Sequence, residues 1–258
     1  MGKAQYLAIA GALVLFAVLY WGFGTTPPPS RHSGALTAKA ETKDVFERLL
    51  QEAKASLSQE QSAAIVADEA ALTQAGADKT RISVMKSLSS HWFEYGHLPV
   101  AAAYAEQVAE LEKSDSAWSV AGALFFNSLA AAQEPAIREY CANQAAKSFE
   151  AAAALNPLQV EHQVNLALVY AENPPADSPM KAVLLLRDLE KKHPDNASVY
   201  NALGRLAIKT GQWERAIERL EKARSLDPKN PNTPCLLSRA YDGAGQADKA
   251  AEFAKLCK

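Results

Sequence analysis

The stretch "GQWERAIERLEKARSLDP", residues 211–228, decides the fold. Trp213, Ala216, Ile217, Leu220 and Ala223 recur at three- and four-residue intervals, the period of a helix that buries one stripe, and charged residues fall between them. Gly211 supplies a turn before this helix and Pro228 stops it. A second Gly-Gln pair opens "GQADKAAEF" at residue 245, 34 positions after the first. Pro194 and Pro228 are also 34 apart, and so are Arg205 and Arg239. Self-similarity at this period marks an array of stacked helical units.

One complete period lies between the two prolines. Tyr200-x2-Leu203-Gly204 is followed by Ala216-x3-Leu220, then Ala223, then Asp227-Pro228. Gly204 and Ala216 are small, as two closely crossing antiparallel helices require, while Leu203, Leu220 and Ala223 are placed to fill the space between units. This pattern resembles the tetratricopeptide repeat, a 34-residue helix-turn-helix unit. Ala207 and Leu220 stand where that family favours aromatic residues, and both stay apolar. The resemblance implies an all-α fold, a right-handed α-solenoid whose first helices line a concave groove.

The same marks extend in both directions. Upstream, Pro157 precedes Pro194 by 37, and the three extra residues fit the "NPPADSP" loop. Leu166, Ala167 and Tyr170 mark the first helix there, and Ala182, Leu186 and Leu189 the second. One unit earlier Trp118, Ala121, Gly122 and Phe125 pair with Ala145, Phe149 and Ala152, with an excess of about 11 residues that must lengthen the helices or widen their loop. Met85, Leu88, Ser89 and Trp92 lead through Gly96 to Ala101, Ala105 and Val108. Leu237, Ser238, Tyr241, Gly245 and Ala250 form a last unit. The array is therefore five units over residues 82–258, divided as 82–114, 115–159, 160–196, 197–230 and 231–258. Residues 44–76 lack the pattern but carry Val45, Phe46, Leu49, Leu50, Ala53 and Leu57 on one stripe, then Ser58-x-x-Gln61 as a capping box. They read as a helical cap, which an open-ended array needs because each unit buries its face only against a neighbour.

The first 24 residues are a different material. Ala4 to Gly24 carries no charge, and these 21 residues would span roughly 32 Å as a helix, against a hydrocarbon core of about 30 Å. Tyr20 and Trp21 sit where amphipathic rings favour the headgroup layer. The run exceeds the roughly 7–15 apolar residues of a cleaved signal peptide, so residues 1–24 read as a single uncleaved transmembrane helix preceding the array. Gly22-Phe23-Gly24 is the site that cleavage would use. Residues 25–43, rich in proline, serine and threonine, read as a flexible tether. Lys3 and the short leading tail favour a periplasmic array, while Arg31, Lys39 and Lys43 weaken that bias.

Composition narrows the function. With 27 basic and 29 acidic residues the net charge is −2, against a nucleic-acid binder. Cys141, Cys235 and Cys257 are odd in number and lack a CxxC pair; a Cys235–Cys257 bridge is open, and buried free thiols are the reading preferred from spacing. No metal-binding helix motif, nucleophile elbow or phosphate loop occurs, so no enzyme activity, cofactor or metal is expected. His91 and His97 lie six apart on different helical faces and read as polar residues near a turn, with no carboxylate partner at fixed distance. Most of Trp92, Trp118, Phe125, Phe126 and Phe149 match core positions of the units, so packing accounts for them.

What repeats with the period outside the core points to a binding surface. Arg205 and Arg239 directly follow the crossing residues Gly204 and Ser238, and Asn201 lies one helical turn before Arg205. Their upstream equivalents, Val164 and Leu168, are apolar. The expected peptide-binding groove is thus apolar in its middle and basic toward one end. The two-carboxylate clamp of the family is unmatched, since Ser90 stands where its asparagine would follow Lys86. The layout resembles single-anchor tetratricopeptide proteins of the bacterial envelope, at the inner membrane, that serve assembly, translocation or cytochrome maturation. The expectation is a non-enzymatic scaffold for protein partners; a permanent accessory subunit of a membrane enzyme or transporter is the alternative. An uncleaved anchor should leave the protein in the membrane pellet after alkaline carbonate extraction. A mature amino terminus near Thr25, read by mass spectrometry, would show cleavage instead.

Overall fold

The computed structural model describes residues 44–257. The anchor and tether assigned to residues 1–24 and 25–43 lie outside the described residues. Among the described residues there are twelve helices and no strand. They are α1 (residues 44–55), α2 (Gln59–Gln74), α3 (Asp78–Glu94), α4 (Leu98–Glu112), α5 (Asp115–Ala131), α6 (Pro135–Leu155), α7 (Val160–Glu172), α8 (Lys181–Lys192), α9 (Ala197–Lys209), α10 (Trp213–Leu226), α11 (Asn232–Gly243) and α12 (Ala247–Ala254). None of the described helices is long and apolar enough to cross a membrane. From α3 onward the helices pack as consecutive antiparallel pairs, each against the next, and the first helices of the last three pairs also touch, α7 on α9 and α9 on α11.

Local chemistry sets the ends of these helices. The Ser58–Gln61 capping box opens α2, and the side chains of Ser114 and Asn196 cap α5 and α9 by accepting from the N–H groups of Ala117 and Val199. Helices α6, α7, α8 and α10 all stop at a residue that precedes a proline: Asn156, Asn173, His193 and Asp227. Each of the four has φ near −135° and ψ between 64° and 86°. The proline ring excludes the helical conformation from the residue before it, so the stop is steric. Within a pair, the turn rests on a glycine at positive φ in three units, Gly96, Gly211 and Gly245. In each the following N–H returns to the carbonyl five residues back, His97 to Trp92, Gln212 to Ala207 and Gln246 to Tyr241, at 2.8–2.9 Å. This is a Schellman closure, which needs a residue free to adopt the left-handed region.

The two helices of a pair cross at one small residue on each. Gly204 meets Leu220, and a Cβ placed on Gly204 would lie 2.5 Å from Leu220 Cγ. Gly122 is likewise pressed by the Phe149 ring, at 2.9 Å from such a Cβ. The equivalent positions in the first and last pairs hold Ser89 and Ser238, and each hydroxyl donates to a carbonyl of the facing helix, Ala101 and Ala250, at 2.9 Å. Opposite these positions Ala101, Ala145, Ala182, Ala216 and Ala250 are all buried. Larger residues between the crossings form the core, including the fully buried Trp92, Phe125, Leu186 and Leu237. The excess residues of the second pair went into its helices, which run 17 and 21 residues, while the three extra residues of the third pair sit in the loop at 173–180. The cap helix α1 packs Leu49 and Ala53 into the core, with the Phe46 ring edge-on to Tyr104.

The cysteines require a correction. Cys235 and Cys257 form a disulfide, with Cα atoms 4.8 Å apart, and only Cys141 of the three is a buried free thiol. A count of three obscured the pairing, because the odd cysteine was the core residue. A sequence separation of 22 restricts the unfolded chain by about 3 kcal/mol in the chain-entropy account. Two substitutions test the crossing. Gly204→Leu should cost at least about 1–3 kcal/mol in urea unfolding through overpacking on Leu220. Gly76→Ala, where an added Cβ meets open space, should stay within about 0.5 kcal/mol. Equal midpoints for Gly204→Leu and the parent would contradict this packing.

Candidate functional site

Val164 and Leu168 from α7, Asn201 and Arg205 from α9, and Arg239 from α11 line one open pocket of about 460 Å³. The period explains why they meet. Val164, Asn201 and Cys235 occupy equivalent positions in three successive pairs, and Leu168, Arg205 and Arg239 occupy the position one helical turn further on. The pocket wall is therefore three rungs of two side chains: apolar with apolar, amide with guanidinium, sulfur with guanidinium. Five of these six are the residues expected from sequence. Cys235 is the sixth, and the interval that carries Arg205 to Arg239 is the signal that carries Asn201 to Cys235 as well.

Polar groups between the rungs make the pocket rich in amides. Asn165, Asn230 and Asn232 join Asn201 in the lining, and no aspartate or glutamate does. Asn201 is oriented by the buried Thr233 hydroxyl, which donates to its Oδ1 at 3.0 Å. That bond leaves the Nδ2 donor of Asn201 without a protein partner among the described residues. Arg205 and Arg239 are both exposed and, among the described residues, neither forms an ion pair. Glutamates of the same pairs find other partners: Glu172 with Lys209 at 2.8 Å, Glu190 with Arg219, and Glu221 with Arg224 and the Tyr241 hydroxyl. Arg205 instead lies 5.8 Å from the centre of the Phe126 ring, within cation–π range. Phe126 belongs to α5, two pairs away in the chain, and no local pattern in the sequence announces that contact.

The other residues singled out from sequence have structural surroundings. Trp92, Phe125 and Phe149 are buried in the core, whereas Trp118 is half-buried with Lys147 5.8 Å above its ring. His97 shares a hydrogen bond with the Ser56 hydroxyl at 3.0 Å, and burial holds its pKa below the ordinary imidazole value. The expectation that His91 has no carboxylate nearby is wrong: its Nδ1 lies 3.2 Å from Asp68 Oδ2, and its ring stacks on Tyr95. Among the described residues no group of three or more His, Cys, Asp and Glu side chains is arranged to hold a metal. Lys86 and Ser90 line a second pocket of about 390 Å³ with an apolar floor of Ala105, Val108, Ala117 and Val120. Lys86 is tied to Glu112 at 2.5 Å, so its charge is already matched.

Residues 207–256 match the family model of the tetratricopeptide repeat. A tetratricopeptide repeat protein from Parabacteroides merdae superposes with a TM-score of 0.52 at 13% identity, over 81% of this chain and 77% of that one. A thermophilic tetratricopeptide protein of Thermus thermophilus superposes at 0.49 with 19% identity, over 79% of this chain and 98% of its own. For MamA of Desulfovibrio magneticus the values are 0.43 and 20%, over 70% and 95% of the two chains. At these identities the likeness is one of fold, and the Parabacteroides superposition carries it. Among curated proteins none matches the sequence. The helical array thus has the fold of a tetratricopeptide array, matched by the family model over residues 207–256, and its site is read from its own residues. Because Arg239 has no ion pair to lose among the described residues, Arg239→Gln should change unfolding free energy by less than about 0.5 kcal/mol. Arg205→Gln, which gives up the Phe126 ring, should cost up to about 1 kcal/mol. Thermal and urea melts of the two variants measure both.

Proposed function

We propose that this chain is a non-enzymatic scaffold whose groove takes an extended polypeptide segment of a protein partner. The segment carries apolar side chains followed by an acidic residue or a free terminal carboxylate. Residues 4–24 then hold the array at a bacterial inner membrane, on its periplasmic side. The observation that supports the groove reading is the pocket itself. Two guanidiniums that form no ion pair among the described residues stand beside four amides in a lining that has no carboxylate, next to the apolar pair Val164 and Leu168. Such a wall complements a chain that presents peptide groups to the amides and an anion to the arginines.

Dimensions agree with an extended ligand. Packed helices stand about 8–10 Å apart, so three first helices span roughly 18 Å, which a strand-like segment covers in about six residues. Arginine forks hold a carboxylate by charge-assisted bonds worth about 1.5–3 kcal/mol each. A fluorescent hexapeptide with leucines at its second and fourth positions and aspartate at its carboxyl terminus should therefore bind by anisotropy. Replacing that aspartate with asparagine amide should weaken binding by roughly ten- to a hundredfold. Arg205→Glu with Arg239→Glu should abolish binding while the chain still melts cooperatively. Binding that survives in the double variant at the parental affinity would remove the groove from the proposal.

A further inference from the structure

We propose that the Cys235–Cys257 bridge is an exchangeable disulfide in the groove wall, and that it covalently captures ligand segments whose cysteine lies among acidic residues. This deepens the groove reading and rests on it. Cys235 stands on the rung that Val164 and Asn201 occupy in the two preceding pairs, with Arg239 one turn beyond it on the same helix. Its partner Cys257 is exposed and lies past the end of α12. A bridge that served only to fasten the last pair has no need of a groove position. Here Cys235 lines the pocket, while Cys257 is exposed and lies outside that lining.

That placement fixes the direction of exchange. A ligand thiolate entering the groove attacks Cys235 Sγ, a new sulfur–sulfur bond forms there, and the Cys235–Cys257 bond breaks. The electron pair leaves with Cys257 as its thiolate. In the reverse step the Cys257 thiolate attacks Cys235 Sγ, expels the ligand thiolate and restores the bridge. The cycle consumes no oxidant or reductant. The attacking species is an anion, and the lining supplies Arg205 and Arg239 with no carboxylate to oppose them, so acidic thiols are favoured over cationic ones. Cys141 takes no part, because it is fully buried and burial pushes its thiol up to about 12.

The experiment compares two thiol probes on the oxidised full-length protein in detergent. Glutathione is net anionic and cysteamine cationic, and each is supplied at equal thiolate concentration, followed by iodoacetamide and peptide mass spectrometry. The expected product carries glutathione on Cys235 and carbamidomethyl on Cys257. It should form at least tenfold faster than the cysteamine adduct, and Arg205→Gln with Arg239→Gln should erase the difference. Glutathione placed on Cys257, similar rates for the two thiols, or no adduct at all overturns the proposal. A hexapeptide of the kind described above, with serine at one position and then cysteine there, separates the two readings. If the serine form fails to bind, the groove reading falls. If it binds and the cysteine form yields no mixed disulfide, only the exchange falls.

Discussion

The structure depends on how closely two helices can approach within each pair. Five pairs solve that problem with five small crossing residues, Ser89, Gly122, Ala167, Gly204 and Ser238, set against five buried alanines. Where glycine is used, a Leu220 or Phe149 side chain occupies the room that a Cβ would take. Where serine is used, its hydroxyl bonds to the facing backbone, so a polar atom enters the crossing already satisfied. Every other feature follows from the fixed crossing. It sets which stripe of the first helix is buried, and so which positions, one residue further on, are left to form a wall.

Much of this was legible in the sequence because the constraints are short-range and periodic. A proline forbids helix in its predecessor, a glycine turn closes a helix, and a small residue must recur at the crossing. These rules located the pairs even where the spacing changed. The loop at 173–180 absorbed one insertion, whereas α5 and α6 absorbed the other by growing, and periodicity alone left those two solutions open. Three things escaped for a different reason. The disulfide, the Arg205–Phe126 contact and the His91–Asp68 contact join residues far apart in the chain, and nothing in their own neighbourhoods encodes the partner.

The candidate site shows the same division. Its positions come from the period, so Val164, Leu168, Asn201, Arg205 and Arg239 were found by counting. Its chemistry comes from what is absent around them. Among the described residues Arg205 and Arg239 form no ion pair, and Glu172, Glu190 and Glu221 pair with Lys209, Arg219 and Arg224. These pairs are exposed or half-exposed and add little to stability on their own.

The bridge between α11 and the segment after α12 also bears on how the array opens. In a stack of units each end has one neighbour instead of two, so opening begins at the ends and moves inward. Fastening residue 235 to residue 257 makes the last pair fray as a closed loop or not at all. At the other end of the described residues α1 buries Leu49 and Ala53, packs Val45, Phe46 and Leu50 beside them and pairs Arg48 with Glu134 at 2.8 Å, contacts between side chains with no disulfide among them. Amide exchange should therefore enter from α1 and α2, with the rungs of the pocket among the last surfaces to be lost. The array has a soft end and a locked end, and its binding wall belongs to the locked one.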